Sequence, residues 1–553
     1  MEGSYQGAPS GMPKERPRDR AFWRWNPCSR ETGAVLALAA ITSLVAFLHY
    51  FHRNQILLYG DAEGHINIAR RVFDSRSPGP LQLGTVWLPL PHLLMMPFLI
   101  SDWAWRTAVG GSIPTMIAYV FSTIGIFRLV RTSSSNQFAA WFAVLFFAGN
   151  PSLIYLQATA MTEPLYLALF VWAAVYLTEF AQAVSASDWF TARQALSWCG
   201  LILAGCTMTR YDGWIAMSVA AASVLLVAFR TRKSPAAASL QKPILRFLLV
   251  CAAGPILWLA YNTAVYRNPL EFANGPYSAK AIEHRIPQAS HPGTDDPWLA
   301  ELYFVRAAEM NLAASTSTAK LWLWLAALGT LLVLRRPNSW PLLMLWIPFP
   351  FYALSVAYGG VPIFVPDWWP FGVYNLRYGL QLLPAVAVFS AIALDAALSA
   401  ISSKPARLTL ALAATFLWFW GALLASKMPA SFLEAVHNMQ GRVTLQEQLA
   451  VELQRLPPNS SILMAVRDFP GAPQRAGVHL RRLINEGDQR AWIRPRDDQG
   501  LWVRALANPQ LYADYAVGFA GDPVDASATQ HHLPPIFSLE VAGQPRATLY
   551  RTR

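Results

Sequence analysis

The sequence predicts a mostly α-helical, polytopic membrane protein that ends in a small α/β domain. Of its 553 residues, 54% are hydrophobic and only 14% are charged, whereas typical soluble domains carry about 25% charge. Long apolar runs alternate with short basic stretches as far as residue 426, which is typical of several membrane helices. Beyond residue 427 the hydropathy falls, and short helix and strand patterns alternate.

The chain begins with a basic segment followed by an apolar run. Residues 1–30 are rich in Pro, Gly and Arg, and we expect them to form a disordered tail. The run 33–50 has no small-residue cleavage site after it, so we interpret it as a retained membrane anchor. The arginines that precede it place the N-terminus in the cytoplasm by the positive-inside rule.

About eleven membrane helices are predicted in a transmembrane domain over residues 31–426. They cover 33–50, 107–129, 138–157, 163–181, 194–209, 213–229, 246–266, 319–334, 340–357, 378–400 and 406–426. The connections assigned to the cytoplasm are short and basic. The outer loops are then 51–106, 267–318 and 358–377, and the odd number of spans places residues 427–553 outside as well.

Two segments of the first outer loop are expected to lie along the membrane surface. In residues 65–73, Ile66, Ala69 and Phe73 share one helical stripe, which indicates an interfacial amphipathic helix. Residues 87–99 are apolar but contain three prolines, so we do not expect them to cross the membrane.

The region 427–553 predicts a small extracytoplasmic α/β domain. Helices are expected at 444–455 and 475–485, and strands at 461–467, 513–519 and 536–551. It contains no Gly-rich phosphate loop and no cluster of metal-ligand residues, and the pair His531-His532 is interpreted as part of a loop.

The excess of basic residues does not indicate a nucleic-acid partner. There are 44 Lys and Arg against 32 Asp and Glu, but the basic residues lie between apolar spans, where membrane topology accounts for them. The expected environment is therefore membrane lipid.

Five polar clusters from distant parts of the chain fall on the predicted outer face. They are Asp61 with Glu63, Glu163 before Pro164, Arg210-Tyr211-Asp212, Asp367, and Arg377-Tyr378. Ionisable groups at a membrane boundary are costly and are functional candidates by default. A set of acids and arginines suits a reaction in which one proton is removed and one anion is held.

Several of these residues also have a purely structural interpretation. Glu163 before Pro164 suits the first turn of a helix. Arg210 suits an interface residue whose charged end extends into water. Asp212 before Gly213 suits a tight turn and an N-cap, and we favour that role over catalysis.

The remaining candidates have alternatives of the same kind. Asp61 and Glu63 could cap the amphipathic helix, and Arg377 could pair with Asp367. The tryptophans near Asp367 are interpreted as interface anchors rather than as a sugar-binding surface.

The chain resembles the GT-C superfamily of membrane glycosyltransferases, especially its protein O-mannosyltransferase and aminoarabinose-transferase branch. The resemblance covers about residues 33–426, and the tail resembles the variable outer domain of these proteins. It rests on Asp61-Ala62-Glu63, the surface segment 66–98, Thr162-Glu163-Pro164-Leu165, Thr209-Arg210-Tyr211-Asp212-Gly213, and Arg377-Tyr378 running into the helix with Pro384. Many members have adjacent acids in the first motif, so the Asp-Ala-Glu spacing leaves the role of Glu63 open.

The resemblance implies transfer of a sugar from a polyprenyl-phosphate carrier to an acceptor hydroxyl, with inversion. In that interpretation Asp61 is the general base, and Glu63 and Glu163 orient the acceptor or hold a divalent cation. Mg²⁺ or Mn²⁺ is left open, with no metal demanded by the spacing. The residues expected to bind substrate are Arg210 and Arg377, which would hold the phosphate, together with Tyr211, Tyr378 and His65.

Three other functions are compatible with a polytopic chain. A transporter or flippase of a lipid-linked sugar would usually show pseudo-repeat halves and mid-span charges, whereas the polar motifs here lie at one boundary. A polymerase or ligase that uses lipid-linked glycans as donor and acceptor has closely related chemistry. A non-enzymatic scaffold would depend on the tail alone.

Overall fold

A computed structural model describes residues 29–553 except 135, 233–234, 277, 282–290, 337 and 490–499. The predicted disordered tail therefore lies outside the described residues, apart from its last two.

The described chain is mostly helical. Up to residue 274 the helices are Arg30–His52 (α1), Gly60–Arg71 (α2), Leu90–Met95 (α3), Asp102–Arg106 (α4), Val109–Ser133 (α5), Gln137–Ala148 (α6), Pro151–Leu156 (α7), Glu163–Ser185 (α8), Trp189–Thr207 (α9), Asp212–Thr231 (α10), Gln241–Tyr266 (α11) and Glu271–Asn274 (α12). Further on they are Pro297–Leu312 (α13), Thr316–Leu334 (α14), Pro348–Tyr358 (α15), Leu383–Ala400 (α16), Lys404–Ala425 (α17), Ala430–Arg455 (α18), Gly471–Ala476 (α19), Leu501–Ala507 (α20), Pro509–Tyr512 (α21) and Pro523–Gln530 (α22). Short 3-10 segments precede α15 at Trp340–Trp346 and α16 at Leu376–Leu382.

Nine helical stretches in the described chain are long and apolar enough to cross a membrane. Many of their large apolar side chains point outward, among them Leu249, Ile256 and Leu257 of α11 and Phe416 of α17. Burial of apolar surface drives folding in water, so such exposure suits helices that contact lipid. The chain is a multi-pass membrane protein, as the sequence predicted.

Nine of the eleven predicted spans overlap these nine helical stretches, and the other two do not. The predicted span 138–157 is wrong as one helix, because Asn150 caps a new helix with Pro151 at its start. The resulting α6 has 12 residues, which is too short to cross the hydrocarbon core of about 30 Å. The predicted span 194–209 belongs to α9, which starts earlier and is less apolar because its first turns hold Arg193 and Gln194.

The interfacial helix expected at 65–73 also differs from the prediction. The structure places it at 60–71 as α2, so Asp61 and Glu63 lie inside its first turn, and its N-cap is Tyr59 without a side-chain hydrogen bond. The alternative in which the two acids cap the helix is therefore wrong. Ile66 and Ala69 are fully buried, whereas Phe73 is exposed.

The two most deeply buried membrane helices determine where the polar residues lie. They are α8 and the segment Leu376–Ala400, and both are packed by neighbouring helices on several sides. Glu163 is the first residue of α8, and Arg377 is the second residue of the other segment. The polar groups thus lie at helix starts, where the apolar core ends.

The C-terminal region forms a five-stranded sheet flanked by helices. Its strands are Ile462–Met464 (β1), Leu483–Ile484 (β2), Tyr515–Phe519 (β3), Pro535–Leu539 (β4) and Ala547–Arg551 (β5). Their order is β2-β1-β3-β5-β4, with β1 parallel to β2 and β3, and β5 antiparallel to β3 and β4. The predicted α/β character is confirmed.

Two elements predicted in this region are wrong. The helix expected at 475–485 ends at Ala476, because Gly477 adopts the left-handed backbone conformation that terminates helices. Leu483 and Ile484 then form a strand. The strand expected at 536–551 is instead the hairpin of β4 and β5, which turns near Gly543, also at positive φ.

Close packing behind Arg377 leads to a prediction about Gly379. A Cβ at this position would collide with the backbone of Ala307 and Ala308 in α13. We expect Gly379→Ala to lower stability by about 1–3 kcal/mol, because the packed backbones must separate. Thermal unfolding followed by tryptophan fluorescence measures the change.

Gly33→Ala is the matched control, since a Cβ at Gly33 meets nothing within 4 Å and alanine favours a helix by about 0.5–1 kcal/mol over glycine. Equal unfolding temperatures for Gly379→Ala and the unmodified protein would contradict the packing argument.

Candidate active site

The candidate active site is formed where several helices begin. Glu163 opens α8, Asp212 opens α10 and Asp61 lies in the first turn of α2. The N-terminal end of a helix carries partial positive charge, which favours carboxylates there. Pro164 in the first turn of α8 fits the same local rule. The structural interpretation of Glu163 is thus correct, and the residue also takes part in the site.

Arg377 is the central cation of this site. Its guanidinium donates to Asp61 Oδ2 at 2.6 Å, to Glu163 Oε1 at 3.2 Å, and to Glu434 Oε1. Its backbone N–H also donates to Glu434 Oε2 at 3.1 Å. The alternative that pairs Arg377 with Asp367 is wrong, because Asp367 pairs with Arg306 instead.

Arg210 is the second cation and shares Glu163 with Arg377. It donates to Glu163 Oε1 at 3.1 Å, to the Tyr352 hydroxyl at 2.8 Å, and to Asp212 Oδ2 at 3.4 Å. Burial works against its charge, but Tyr352, Asp212 and Glu163 together raise the pKa of Arg210 well above its usual range. It is therefore a fixed cation, and the interpretation of Arg210 as an interface residue extending into water is wrong.

Tyr378 lies between the two arginines. The guanidinium carbon of Arg210 is 5.2 Å from the centre of its ring and that of Arg377 is 5.0 Å away. A ring in that position stabilises both cations through its electron-rich face. Tyr59 contacts Arg377 from another side, at 5.2 Å from the ring centre.

Exposure separates the carboxylates of the site from one another. The side chain of Asp61 is 41% exposed, whereas those of Glu163 and Glu434 are each 1% exposed. Asp212 is similarly buried. Asp61 is therefore the carboxylate of this cluster that is accessible from solvent.

Two buried oxygens of the site have no hydrogen-bond partner among the described residues. They are Glu163 Oε2 and Asp212 Oδ1. A buried acceptor without a donor costs about 1–3 kcal/mol. A bound ligand that carries hydroxyl or N–H donors would satisfy these atoms.

Glu63 is separated from this cluster although it lies two residues from Asp61. Its carboxylate accepts from Arg442 at 2.8 Å, from Gln446 at 3.0 Å, and from Arg475. These partners belong to α18 and α19 on the side of the C-terminal domain. The structure thus gives Glu63 a different set of contacts from Asp61.

Three further candidates from the sequence lie outside the cluster. Asp367 contacts Arg306. The hydroxyl of Tyr211 donates to the Val86 carbonyl at 3.0 Å. His65 is buried and pairs with His92.

Sequence reasoning missed Glu434 and Tyr352. Glu434 lies eight residues after the last predicted span, and Asp61 lies eleven residues after the first, so the criterion of an acid near the membrane boundary could have found Glu434. Tyr352 lies within an apolar run, and nothing in its local sequence distinguishes it from an interface anchor.

The three carboxylates considered as metal ligands contact different cations. Asp61 and Glu163 share Arg377, whereas Glu63 is bound by Arg442 and Arg475. In the described part of the chain, no three His, Cys, Asp or Glu side chains are grouped so as to hold a metal ion. A divalent cation at these carboxylates would require the ion pairs to rearrange, and its presence stays a prediction.

His65 and His92 form a buried neutral pair beside the cluster. Their ring nitrogens Nδ1 and Nε2 are 2.9 Å apart, and the Trp87 ring packs on His65 at 4.3 Å between centres. Burial lowers the pKa of His65 to about 4, and it lowers that of His92 well below the usual range.

This pair predicts a loss of stability in acid. The pKa of His65 is lower in the folded state than the usual 6.5, so the unfolded chain binds more protons between those values. Stability is therefore complete above pH 6.5 and declines as the pH falls from 6.5 to about 4, by on the order of 3 kcal/mol for this one group. Unfolding temperatures measured from pH 7 to pH 4 should decline less in His65→Gln.

The exposed His437 provides the control, since it lies outside the pair. His437→Gln should keep the pH dependence of the unmodified protein. A decline in His65→Gln as steep as in His437→Gln would show that His65 does not cause it.

Comparison with known proteins identifies the fold. A scan against protein-family models and a search of the curated proteins each found no match. Among solved structures, the crystal structure of ArnT from Cupriavidus metallidurans bound to undecaprenyl phosphate matches with a TM-score of 0.58, at 13% identity, over 95% of this chain and 98% of that chain. The apo structure of the same protein matches with a TM-score of 0.57, at 14% identity, over 95% and 99%.

This chain has the ArnT fold. The match covers the helical region and the C-terminal domain together, because it spans nearly the whole of both chains. The fold predicted from the GT-C resemblance is thus confirmed.

Proposed function

We propose that this protein is a glycosyltransferase that moves a sugar from a polyprenyl-phosphate-linked donor to an acceptor hydroxyl at the outer membrane face. The fold supports the proposal, since ArnT in the matching structure is bound to undecaprenyl phosphate. A donor with a long isoprenoid chain stays in the bilayer, so an enzyme that uses it must be embedded there, as this chain is.

The observation that carries the proposal is the pair of Asp61 and Arg377. An exposed carboxylate lies 2.6 Å from a buried guanidinium. Removal of a proton from an acceptor hydroxyl requires an accessible base, and a phosphate leaving group requires a cation that can bond it with two N–H groups. One ion pair at the edge of the buried cluster supplies both.

In the proposed reaction Asp61 accepts the proton of the acceptor hydroxyl. The hydroxyl oxygen forms a bond to the anomeric carbon of the sugar while the bond from that carbon to the phosphate oxygen breaks. Polyprenyl phosphate leaves with the electron pair of that bond. A single displacement of this kind inverts the configuration at the anomeric carbon.

Arg377 contacts both the base, Asp61, and the phosphate leaving group in this proposal. Asp61 loses its negative charge when it takes the proton, at the moment when the phosphate gains charge. The guanidinium, 2.6 Å from Asp61, then has one fewer charged carboxylate to neutralise and can stabilise the phosphate instead. Arg210, which is more exposed than Arg377, is the second phosphate ligand.

Glu163 and Asp212 bind the sugar in this proposal. In each of these carboxylates one oxygen pairs with an arginine, and the second oxygen has no hydrogen-bond donor among the described residues. Two acceptors held in fixed positions can each take a sugar hydroxyl, which fixes the anomeric carbon relative to Asp61. The N-cap role favoured for Asp212 from the sequence is wrong, because Tyr211 is the N-cap of α10 and Asp212 is its first residue; the free oxygen favours a binding role instead.

Incubation of the purified protein with a panel of polyprenyl-phosphate sugars tests the proposal. We expect release of polyprenyl phosphate from at least one donor, with a new glycosidic bond in the acceptor. Passage of a lipid-linked sugar across a vesicle membrane without any release would contradict the proposal and would favour a flippase.

A further inference from the structure

Helix α2 presents two different faces to the rest of the protein. Ala62, Ile66 and Ala69 are fully buried in the main hydrophobic core of the described residues. The second face carries a polar stripe, which we define as Glu63, Asn67 and Arg70 of α2 together with Asp74, which lies just beyond the end of the helix. The spacing of four and three residues places Glu63, Asn67 and Arg70 along one side of the helix.

The first contact of the polar stripe is the buried carboxylate of Glu63. Arg442 and Gln446 approach it from α18, and Arg475 approaches it from α19. A Cβ at Gly471 would collide with Gln446, Arg475 and Glu63. The absence of a side chain at position 471 therefore allows this close approach.

The second contact is made by Asn67. Its amide nitrogen donates to Gln474 Oε1 at 2.7 Å, and its amide oxygen accepts from Trp105 Nε1 at 3.1 Å. Gln474 in turn donates to the Trp105 carbonyl at 2.8 Å. Three residues from α2, α4 and α19 thus form one closed set of hydrogen bonds.

The far end of the polar stripe is held by ion pairs. Arg70 donates to Asp74 at 2.9 Å and to Asp102 at 2.6 Å. His479, from the segment after α19, lies 3.1 Å from Asp74. All four residues of the stripe therefore contact the C-terminal region directly or through one neighbour.

We propose that Glu63 is a positioning residue through which the C-terminal domain holds α2 and thereby keeps Asp61 against Arg377. The inference rests on the proposed function. Successive residues of an α-helix are about 100° apart, so Asp61 and Glu63 point to nearly opposite sides of the same turn. A contact that fixes one of them fixes the direction of the other.

The place of α2 in the chain explains why its position depends on these contacts. It has 12 residues and lies between α1 and the surface segment α3, so it is not a membrane span. Its position is therefore determined by its contacts rather than by insertion. A shift of about 1 Å in a reacting group can reduce turnover about 100-fold, so a loosened α2 affects catalysis.

The test uses the full-length protein with Glu63→Gln, Arg475→Gln and the double variant. We expect kcat to fall about 10- to 100-fold in each single variant with KM changed less than about two-fold, because substrate contacts remain and the base is displaced. The double variant should be no slower than the slower single variant, because the two substitutions remove the same contact between Glu63 and Arg475. Arg546→Gln, an exposed site on the β4–β5 turn, should leave kcat unchanged.

Hydrogen exchange of the α2 amides gives a readout that does not need turnover. We expect faster exchange in Glu63→Gln and Arg475→Gln and no change in Arg546→Gln. If either single variant does not fold, Arg442→Gln is the milder substitution, because it leaves Arg475 on Glu63.

The outcomes separate this inference from the proposed function. An unmodified protein without any polyprenyl-phosphate release overturns the function, whatever the exchange data show. If the unmodified protein is active and Glu63→Gln has the same kcat, the positioning role is overturned. A double variant whose loss of kcat equals the product of the two single losses also overturns it.

Discussion

Asp61→Asn is expected to lower the release of polyprenyl phosphate by about 100- to 10,000-fold, which is the usual contribution of a general base. The amide has nearly the shape of the carboxylate and its oxygen can still accept the 2.6 Å hydrogen bond from Arg377. It cannot take a proton from the acceptor. Because Asp61 is 41% exposed, folding and membrane insertion should change little.

A time course of polyprenyl-phosphate release with saturating donor and acceptor measures the effect of Asp61→Asn. Asp367→Asn is the matched control, since Asp367 is also an exposed carboxylate with one arginine partner, Arg306, outside the cluster. It should retain nearly full turnover. Comparable rates for the two variants would mean that Asp61 is not the base.

Arg377→Lys is expected to reduce kcat by about 100- to 1,000-fold, the range found when one donor to a developing anion is lost. The guanidinium uses three nitrogens to contact Asp61, Glu163 and Glu434. A lysine keeps the charge but has one nitrogen and no planar fork. It cannot maintain all three contacts and also bond a phosphate.

The variant should also unfold at a lower temperature, because a buried carboxylate that loses its cation is destabilised by roughly 3–5 kcal/mol. Activity is therefore measured well below the unfolding temperature, with the folded fraction checked by gel filtration. Arg306→Lys is the control, since Arg306 also contacts two carboxylates, Asp367 and Glu309. A normal kcat in folded Arg377→Lys would exclude Arg377 as a phosphate ligand.

These two variants also distinguish binding from chemistry. Asp61→Asn should leave the KM for the donor nearly unchanged, because the base acts on the acceptor. Arg377→Lys should raise that KM as well, since the phosphate is present in both the ground state and the transition state.

The sequence predicted the polar residues of the site better than their contacts. Asp61, Glu163, Arg210, Asp212 and Arg377 all fall on the outer face predicted from the sequence, and the structure brings all five together. Asp367 satisfies the same criterion and lies elsewhere. A position at a membrane boundary limits the depth of a residue but not its direction around the helix bundle.

The character of α2 shows why the contacts were not predictable. The apolar stripe of Ile66, Ala69 and Phe73 is readable from the sequence, but only Ile66 and Ala69 are buried in the protein and Phe73 is exposed. Arg70 falls outside that apolar stripe, yet it is buried between Asp74 and Asp102. Its partner Asp102 is 32 residues away along the chain, and no local pattern predicts such a pairing.

The sequence by itself determined the membrane helices, the mixed C-terminal domain and the acids and arginines at helix starts, because hydropathy, periodicity and helix-end chemistry act over a few turns of chain. Only the tertiary structure decided that Asp61 is partly exposed and pairs with Arg377, whereas Glu63 is buried and pairs with Arg442 and Arg475. The two acids are two residues apart and equally polar. The helices packed on each side of α2 give them different environments, and those helices come from the far end of the chain.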